Sequence, residues 1–330
     1  MYCNIFVTSK CNLKCSYCYV NKESAKDMDS SLSEDIICFI KRMLVENNDN
    51  ELMINFFGGE PVLRMDWIQD FIQKVNALNV DRKKFIMTTN GTLLTPDVVD
   101  TLKEHNFSLS LSLDGSPEIH NKYRVYHDNK GSWEAIEKNI PYLLEVFPHV
   151  MARVTFNATT CEALADSISF IAKKGFQLIK VVPDYFDENW TDERFHILKE
   201  QISDIVERKA RGEYEGVVIS LFDYEPKLRS DCDGGTSSFV IDIKGDIYPC
   251  SYVADDPKFK IGTVTDWRNY KKHSYSVKDE ERTQCSGCRY FNCCTSKRCL
   301  FVNYKMTKNV STPNGFFCEY EKLLYSLAGK

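Results

Sequence analysis

Six strand-like runs, each followed by a helix-like stretch, fill the first two thirds of the chain, and this alternation leaves few ways to fold. The strand candidates are Tyr2–Ser9, Glu51–Phe57, Lys83–Thr89, Ser108–Leu113, Val150–Asn157 and Phe176–Val182, short runs rich in Ile, Val, Phe or Leu. Between them apolar residues recur at helical spacing. Ile36, Ile37, Ile40 and Leu44 share a face behind Ser31 and Glu34, which are spaced as a capping box. Ile68, Phe71, Ile72 and Val75 repeat the pattern, and Thr95-Pro96 reads as N-cap and first-turn proline for Val98, Val99 and Leu102. Ser132 opens a segment carrying Ile136, Ile140 and Leu144 that Pro141 should break. Leu164, Ile168 and Ile171 run to a helix-ending glycine at Gly175, and a last helix is expected from about Thr191 to Lys209. Successive strand–helix units imply a parallel sheet with right-handed crossovers. Six units fall short of the eight that close a standard barrel, so an α/β fold with an open, curved (β/α)6 sheet is expected. Its ligand site should lie at the C-terminal ends of the strands.

Composition narrows the function. A net charge of −5 gives no basic field for nucleic acid. No stretch is long and apolar enough for a membrane span and no export signal precedes the first cysteines, which points to a cytoplasmic protein. Fourteen cysteines are then the anomaly. In a reducing compartment they are better read as ligands than as disulfides. Cys11, Cys15 and Cys18 follow the first strand at CxxxCxxC spacing. Cys232, Cys250, Cys285, Cys288, Cys293, Cys294, Cys299 and Cys318 crowd the tail, and Cys3, Cys38 and Cys161 stand apart as ordinary buried thiols. Three close thiolates without a nearby fourth would hold an iron–sulfur cluster with one iron open to a small molecule. A zinc site, or three incidental buried cysteines, fits the spacing alone as well.

Three strand ends beyond that loop carry small and polar residues: Phe57-Gly58-Gly59-Glu60-Pro61, Thr88-Thr89-Asn90-Gly91 and Ser112-Leu113-Asp114-Gly115. Two glycines allow a backbone to approach a ligand closely, and a Glu can meet an ammonium group. Each stretch alone is turn chemistry. In this order, behind CxxxCxxC with Tyr17 before its last Cys, they resemble the radical S-adenosylmethionine (SAM) superfamily over about residues 1–185. That resemblance implies a partial (β/α)6 radical SAM barrel in which Cys11, Cys15 and Cys18 hold a 4Fe–4S cluster. The same resemblance implies that Gly58, Gly59 and Glu60 contact the SAM amino group and that Asn90, Ser112 and Arg153 meet its ribose and carboxylate. Tyr17 would flank the adenine through its backbone. Arg124 reads equally as a SAM or substrate contact and as part of a charged surface loop.

From Gly216 the pattern changes. Val217–Phe222 is a further strand candidate, and Phe239–Tyr248 reads as a hairpin turning at Lys244-Gly245-Asp246. Taken alone, the tail cysteines suit a zinc ribbon or two-zinc module as well as iron–sulfur; behind a radical SAM core, the spacing Cys232-x12-Gly245-x4-Cys250, then Cys285-x2-Cys288-x5-Cys294 and a last Cys318, resembles the SPASM extension. A radical SAM core at 1–212 and a small cysteine-rich SPASM domain at 213–330 are therefore expected. By that resemblance there are two auxiliary 4Fe–4S clusters, three clusters in all. The distal one would use Cys285, Cys288, Cys294 and Cys318, and the nearer one Cys232, Cys250 and Cys299. The sequence departs from the pattern twice. Four residues, not three, separate Cys294 from Cys299, so Cys293 competes with Cys294 as a ligand. The nearer cluster also lacks a fourth cysteine, leaving Asp231, Asp233, Cys293 or an open position.

The resemblance implies an enzyme that cleaves SAM to a 5′-deoxyadenosyl radical, which removes hydrogen from a peptide residue. Two outcomes compete: a thioether or carbon–carbon cross-link in a ribosomally made peptide, and anaerobic sulfatase maturation to formylglycine, with peptide epimerisation as a further alternative. Sulfatase maturases usually carry an Asp base after the hairpin's second Cys. Here Ser251 follows Cys250, which favours the cross-linking maturase. Expected partners are a peptide or protein substrate and a flavodoxin- or ferredoxin-type reductant; with no peptide-binding domain before Tyr2, leader recognition falls to the barrel itself, the acidic surface or a separate leader-binding protein.

Overall fold

The computed structural model describes residues 1–20, 25–222 and 231–327. Seven parallel strands run in chain order: β1 (Tyr2–Thr8), β2 (Glu51–Gly58), β3 (Arg82–Thr89), β4 (Phe107–Ser112), β5 (Met151–Phe156), β6 (Leu178–Pro183) and the two-residue β7 (Val218–Ile219). The six expected strands thus form within two residues of their sequence bounds. Of the further strand expected at Val217–Phe222, only β7 is extended, and Ser220–Phe222 turns into a 3-10 helix. Helices α1 (Leu32–Asn47), α2 (Met65–Asn76), α3 (Pro96–Glu104), α4 (Pro117–Tyr123), α5 (Trp133–Glu137), α6 (Ile140–Val146), α7 (Leu164–Lys173) and α8 (Asp192–Ala210) fill the crossovers. Pro141 sits in the first turn of α6, where it needs no hydrogen-bond partner, and separates α6 from α5 as its ring requires. Gly175, at φ +100°, follows α7 in the left-handed region that ends a helix.

The capping box does not form. Ser31 has helical angles (φ −62°, ψ −26°), so its hydroxyl cannot reach forward as an extended N-cap residue would, and Glu34 pairs instead with Lys74 of α2 at 2.7 Å. Thr191 does cap α8, accepting from the Arg194 N–H at 3.2 Å.

The sheet does not end at β1. β8 (Ser238–Ile241) pairs with it in parallel, Tyr2 opposite Ser238 through Ile5 opposite Ile241. The expected hairpin follows as β8 and β9 (Asp246–Tyr248), antiparallel, with Gly245 at φ +80° in its turn, and β10 (Gly262–Thr263) closes the order β10-β9-β8-β1-β2-β3-β4-β5-β6-β7. The sheet is open and curved as expected, and longer by the strands that the cysteine-rich segment adds. The tail finishes in α9 (Thr295–Arg298), α10 (Leu300–Thr307) and α11 (Gly315–Leu327).

The core runs without a break from barrel to extension. Phe39 of α1, fully buried, meets Phe239 of β8 edge-on at 5.1 Å and Tyr270 at 5.2 Å. Each such pair adds about 0.5–1.5 kcal/mol beyond burial alone. Arg42, one turn on, donates to the carbonyl oxygens of Trp267 and Tyr270. Phe39→Ala should therefore cost about 3–5 kcal/mol in urea unfolding. Val45→Ala on the same helix, at a side chain 82% exposed, should stay within about 0.5 kcal/mol.

Candidate active site

The C-terminal ends of β1, β2 and β3 are lashed together around the first cysteine loop. A Cβ on Gly58 (φ +139°) would stand 2.0 Å from the Thr8 carbonyl oxygen, and one on Gly59 would stand 2.0 Å from that of Lys10. Only glycine allows this approach, and it lets Gly59 N–H donate to Thr8 O (2.8 Å) and Glu60 N–H to Lys10 O (2.9 Å). The sequence reading had these glycines admitting a ligand; what they admit here is the neighbouring backbone, although both also line the cavity described below.

Glu60 is 1% exposed, and its carboxylate is already engaged. One oxygen accepts from Thr89 Oγ1 (2.7 Å) and Val62 N–H (3.2 Å), the other from Asn90 N–H (2.8 Å). Burial pushes its pKa up to about 7 against these donors. Asn90 in turn donates to Asn12 Oδ1 at 2.9 Å and lies 3.9 Å from Cys11 Sγ, while Asn12 donates to Thr92 Oγ1 at 2.7 Å. The ends of β2 and β3 therefore position the residues around Cys11.

A second buried network centres on Asp114, just past β4. It accepts from Tyr17 Oη, from Arg124 Nε (2.8 Å) and Nη2 (3.3 Å), and from Thr155 N–H (3.0 Å). The Arg124 guanidinium also lies over the Tyr17 ring at 5.2 Å. Arg124 is thus buried and paired, not a surface charge, and Tyr17 turns its hydroxyl inward. Fully buried His120 supports the hub from behind. Its Nδ1 accepts from Asp114 N–H (3.4 Å), its Nε2 donates to Ser132 Oγ (3.0 Å), and Ser132 donates to Arg124 O (2.8 Å). Burial lowers the His120 pKa to about 4. By sequence Asp114 is turn chemistry, Ser132 only a helix start and His120 has no assigned role; the acid at a strand end is the one hint of the hub.

These elements front one cavity of about 440 Å³. Cys11, Cys15, Cys18, Tyr17, Gly58, Gly59, Glu60, Asn90, Ser112 and Arg153 all line it, so the fold gathers every core site residue named from the sequence. Its far wall comes from two places the sequence did not connect: Asp184, Tyr185 and Phe186 beyond β6, and Cys250, Ser251 and Tyr252 beyond the hairpin. Tyr252 stands between them, its ring 5.0 Å from Tyr19 and 5.3 Å from Phe186. One Asp184 oxygen accepts from Phe186 N–H at 3.0 Å, and burial raises the carboxyl above its ordinary value.

The tail cysteines sort into two groups. Cys285, Cys288, Cys294 and Cys318 line a separate cavity of about 470 Å³. Cys293 is not among its lining residues: it is buried with Sγ 3.3 Å from Tyr290 O, while Tyr325 Oη donates to its carbonyl. Cys232 and Cys299 lie near enough to Cys250 to act on its charge. Asp233 pairs with Arg298 at 2.7 Å, and Asp231 is exposed. Of the cysteines read as inert, Cys3 and Cys161 are buried and Cys38 is partly buried.

The donor sets suit metal clusters. Burial pushes the Cys250 and Cys294 thiols up to about 12, so a bound cation is needed to make them thiolates. Among the described residues, no three His, Cys, Asp or Glu side chains converge on a single ion position. In a cubane cluster each thiolate sits on a different iron, which sets such ligands farther apart.

A half-barrel-plus sheet with three thiols at its mouth defines a class, and the comparisons agree: the Radical SAM superfamily profile matches residues 5–171, and the chain belongs to that superfamily of enzymes. A cysteine-type anaerobic sulfatase-maturating enzyme of Clostridium novyi is 26% identical, with 96% of this chain and 92% of the relative covered. The antilisterial bacteriocin subtilosin biosynthesis protein AlbA of Bacillus subtilis is also 26% identical, over 90% of this chain and 64% of its own length. Among solved structures, anSMEcpe with bound AdoMet and Cp18Cys peptide superposes with a TM-score of 0.79 at 20% identity, covering 99% of this chain and 96% of that one. SuiB of Streptococcus suis bound to precursor peptide SuiA reaches 0.64 at 18% identity, covering 96% and 75%. The shared fold therefore takes in the cysteine-rich extension as well as the barrel. No described helix is long and apolar enough to cross a membrane.

Because His120 is neutral in the fold down to about pH 4 and an exposed imidazole titrates near 6.5, the unfolded chain binds the extra proton first. The histidine's contribution to stability should fall as pH drops from about 6.5 to about 4, by up to about 3 kcal/mol. Glu60 works oppositely, costing stability as pH rises from about 4.5 to about 7. The difference between wild type and His120→Gln in urea unfolding isolates the histidine: the variant's shortfall should be largest near pH 6.5 and shrink toward pH 4.

Proposed function

We propose that the chain is a radical SAM peptide maturase with a barrel at 1–212 and a SPASM extension at 213–330. In this reading Cys11, Cys15 and Cys18 hold the SAM-binding 4Fe–4S cluster. Cys285, Cys288, Cys294 and Cys318 hold the distal auxiliary cluster, and Cys232, Cys250 and Cys299 hold the nearer one, with a position left for another ligand. The observation that carries the reading is the shared cavity. Cys250 of the extension and the Cys11–Cys18 loop of the barrel face the same space, walled by Tyr19, Phe57, Tyr185, Phe186 and Tyr252. An aromatic-walled cleft of this kind excludes water and suits a peptide side chain. When bound, cluster and SAM supply a radical able to take hydrogen from an unactivated carbon. The chain's own part is positioning. Arg153 offers its guanidinium to a carboxylate, Ser112 and Asn90 offer hydrogen bonds, and Gly58 and Gly59 keep the floor of the site against β1. Reducing equivalents would come from a flavodoxin- or ferredoxin-type protein.

The product we favour is a thioether or carbon–carbon cross-link, because neutral Ser251 stands where sulfatase maturases usually carry an acidic base. A second reading, formylglycine formation, draws on the near full-length match to a sulfatase-maturating enzyme and on Asp184, a carboxylate in the same cavity.

Anaerobic reconstitution should give about 12 irons per chain. Replacing Cys11, Cys15 and Cys18 with Ala should leave about two thirds of them while abolishing 5′-deoxyadenosine formation with dithionite. Stoichiometric zinc, or undiminished cleavage by the triple variant, refutes the assignment. The product is decided by tandem mass spectrometry of a co-expressed peptide with hydrazine trapping. A cross-link suppresses backbone fragments between the joined residues and gives no hydrazone, whereas formylglycine fragments normally and is trapped. Deuterium uptake from heavy water with unchanged connectivity would indicate epimerisation and defeat both.

A further inference from the structure

Arg282 is a buried charge that neither the barrel nor its network uses. It is 3% exposed, three residues before Cys285, and lines the cavity formed by Cys285, Cys288, Cys294 and Cys318. Nη2 donates to the Lys297 carbonyl oxygen at 2.7 Å, but Nε and Nη1 have no hydrogen-bond partner among the described residues. Nearby acids are otherwise occupied. Asp279 lies 3.3 Å from the Lys297 ammonium, and Glu321 accepts from Thr295 N–H at 2.8 Å. Burial works against the guanidinium's charge, and Cys285, Asp279, Cys294 and Asp231 lie near enough to favour it. A buried guanidinium with two idle N–H groups is costly unless something anionic answers it. The cavity beside it is lined by the four thiols together with the carboxylate of Glu321, which is hydrogen-bonded to neither idle group.

We propose that Arg282 directs its Nε–H and Nη1–H groups at the sulfur of the distal cluster, as a charged hydrogen-bond donor that raises the cluster's reduction potential. The inference rests on the assignment of those four cysteines to an iron–sulfur cluster. Reduction adds negative charge that spreads over the sulfurs, so a donor and a positive charge in a dry site favour the reduced form. Arg282 is a tuning residue, not a ligand, and removing it should leave the iron in place. An easily reduced distal cluster is suited to receive an electron from the substrate side and pass it outward.

The test uses the full chain, anaerobically reconstituted, with redox titration followed by electron paramagnetic resonance. The distal signal is identified as the one lost when Cys285 and Cys288 are both replaced by Ala. With iron content retained, Arg282→Gln should move the distal midpoint to lower potential, and Arg282→Lys, which keeps charge but loses the planar fork of donors, should move it less in the same direction. Either variant holding wild-type iron at the wild-type midpoint overturns the inference and leaves the cluster assignment standing. If Arg282→Gln sheds its distal iron, Arg282→Lys alone decides by the same criterion. A wild-type chain that binds only about four irons, or zinc at the tail cysteines, overturns the assignment and this inference with it.

Discussion

Two backbone hydrogen bonds, from Gly59 to Thr8 and from Glu60 to Lys10, hold the mouth of the barrel in one piece. They exist because Gly58 and Gly59 carry no Cβ where one would strike the carbonyl oxygens of the chain entering the cysteine loop. From that contact the order of the site follows. Glu60 is drawn into the core, takes Thr89 and Asn90 as donors, and so fixes the end of β3. Asn90 reaches Asn12 and the edge of Cys11. A glycine pair that looks like a ligand-binding turn is thus first a device for joining three strands, and the ligand site is what the joint encloses.

The other half of the mouth is held electrostatically. Asp114 and Arg124 are both buried, and a buried ion pair is sound only when its remaining lone pairs and protons are satisfied. Here Tyr17 and Thr155 donate to the Asp114 carboxylate, while His120 and Ser132 hold the backbone N–H of Asp114 and the backbone carbonyl of Arg124. His120 must stay neutral for this to work, since its Nδ1 has to accept from Asp114 N–H, and its burial ensures that. The cation stacked on Tyr17 therefore ties the cysteine loop to β4 and β5 in a way that no single residue of the loop could.

Much of this was legible beforehand, for physical reasons. Strand and helix periods are local, so β1 to β6 and the breaks at Pro141 and Gly175 could be read from a few neighbouring residues. Ligand spacing is equally local, which is why Cys11, Cys15 and Cys18 stand out and the fold then gathers them with Gly59, Glu60, Asn90, Ser112 and Arg153. What escaped depends on distant pairing. Ser238–Ile241 reads as half a hairpin, and nothing in it announces β1 as its other neighbour. Asp114, Arg124 and His120 look like loop polars until tertiary burial makes each need the others. Cys293 and Cys294 are indistinguishable by spacing, and only the turn geometry sends Cys294 to the distal cavity and Cys293 to Tyr290 O. The expected capping box at Ser31 failed because Ser31 itself takes helical angles, which leaves Glu34 to pair with Lys74 on a different helix.

The pairing of β8 with β1 also has a bearing on how the protein is made. β1 leaves the ribosome first, yet one of its two neighbours lies at residues 238–241, so its sheet edge stays open until most of the chain has been synthesised. Contacts of such sequence separation form slowly, and an uncovered strand edge is prone to wrong partners in the interval. The loop bearing Cys11, Cys15 and Cys18 hangs directly from that edge. Until the tail docks, the strand that leads into these thiols is therefore braced on one side only.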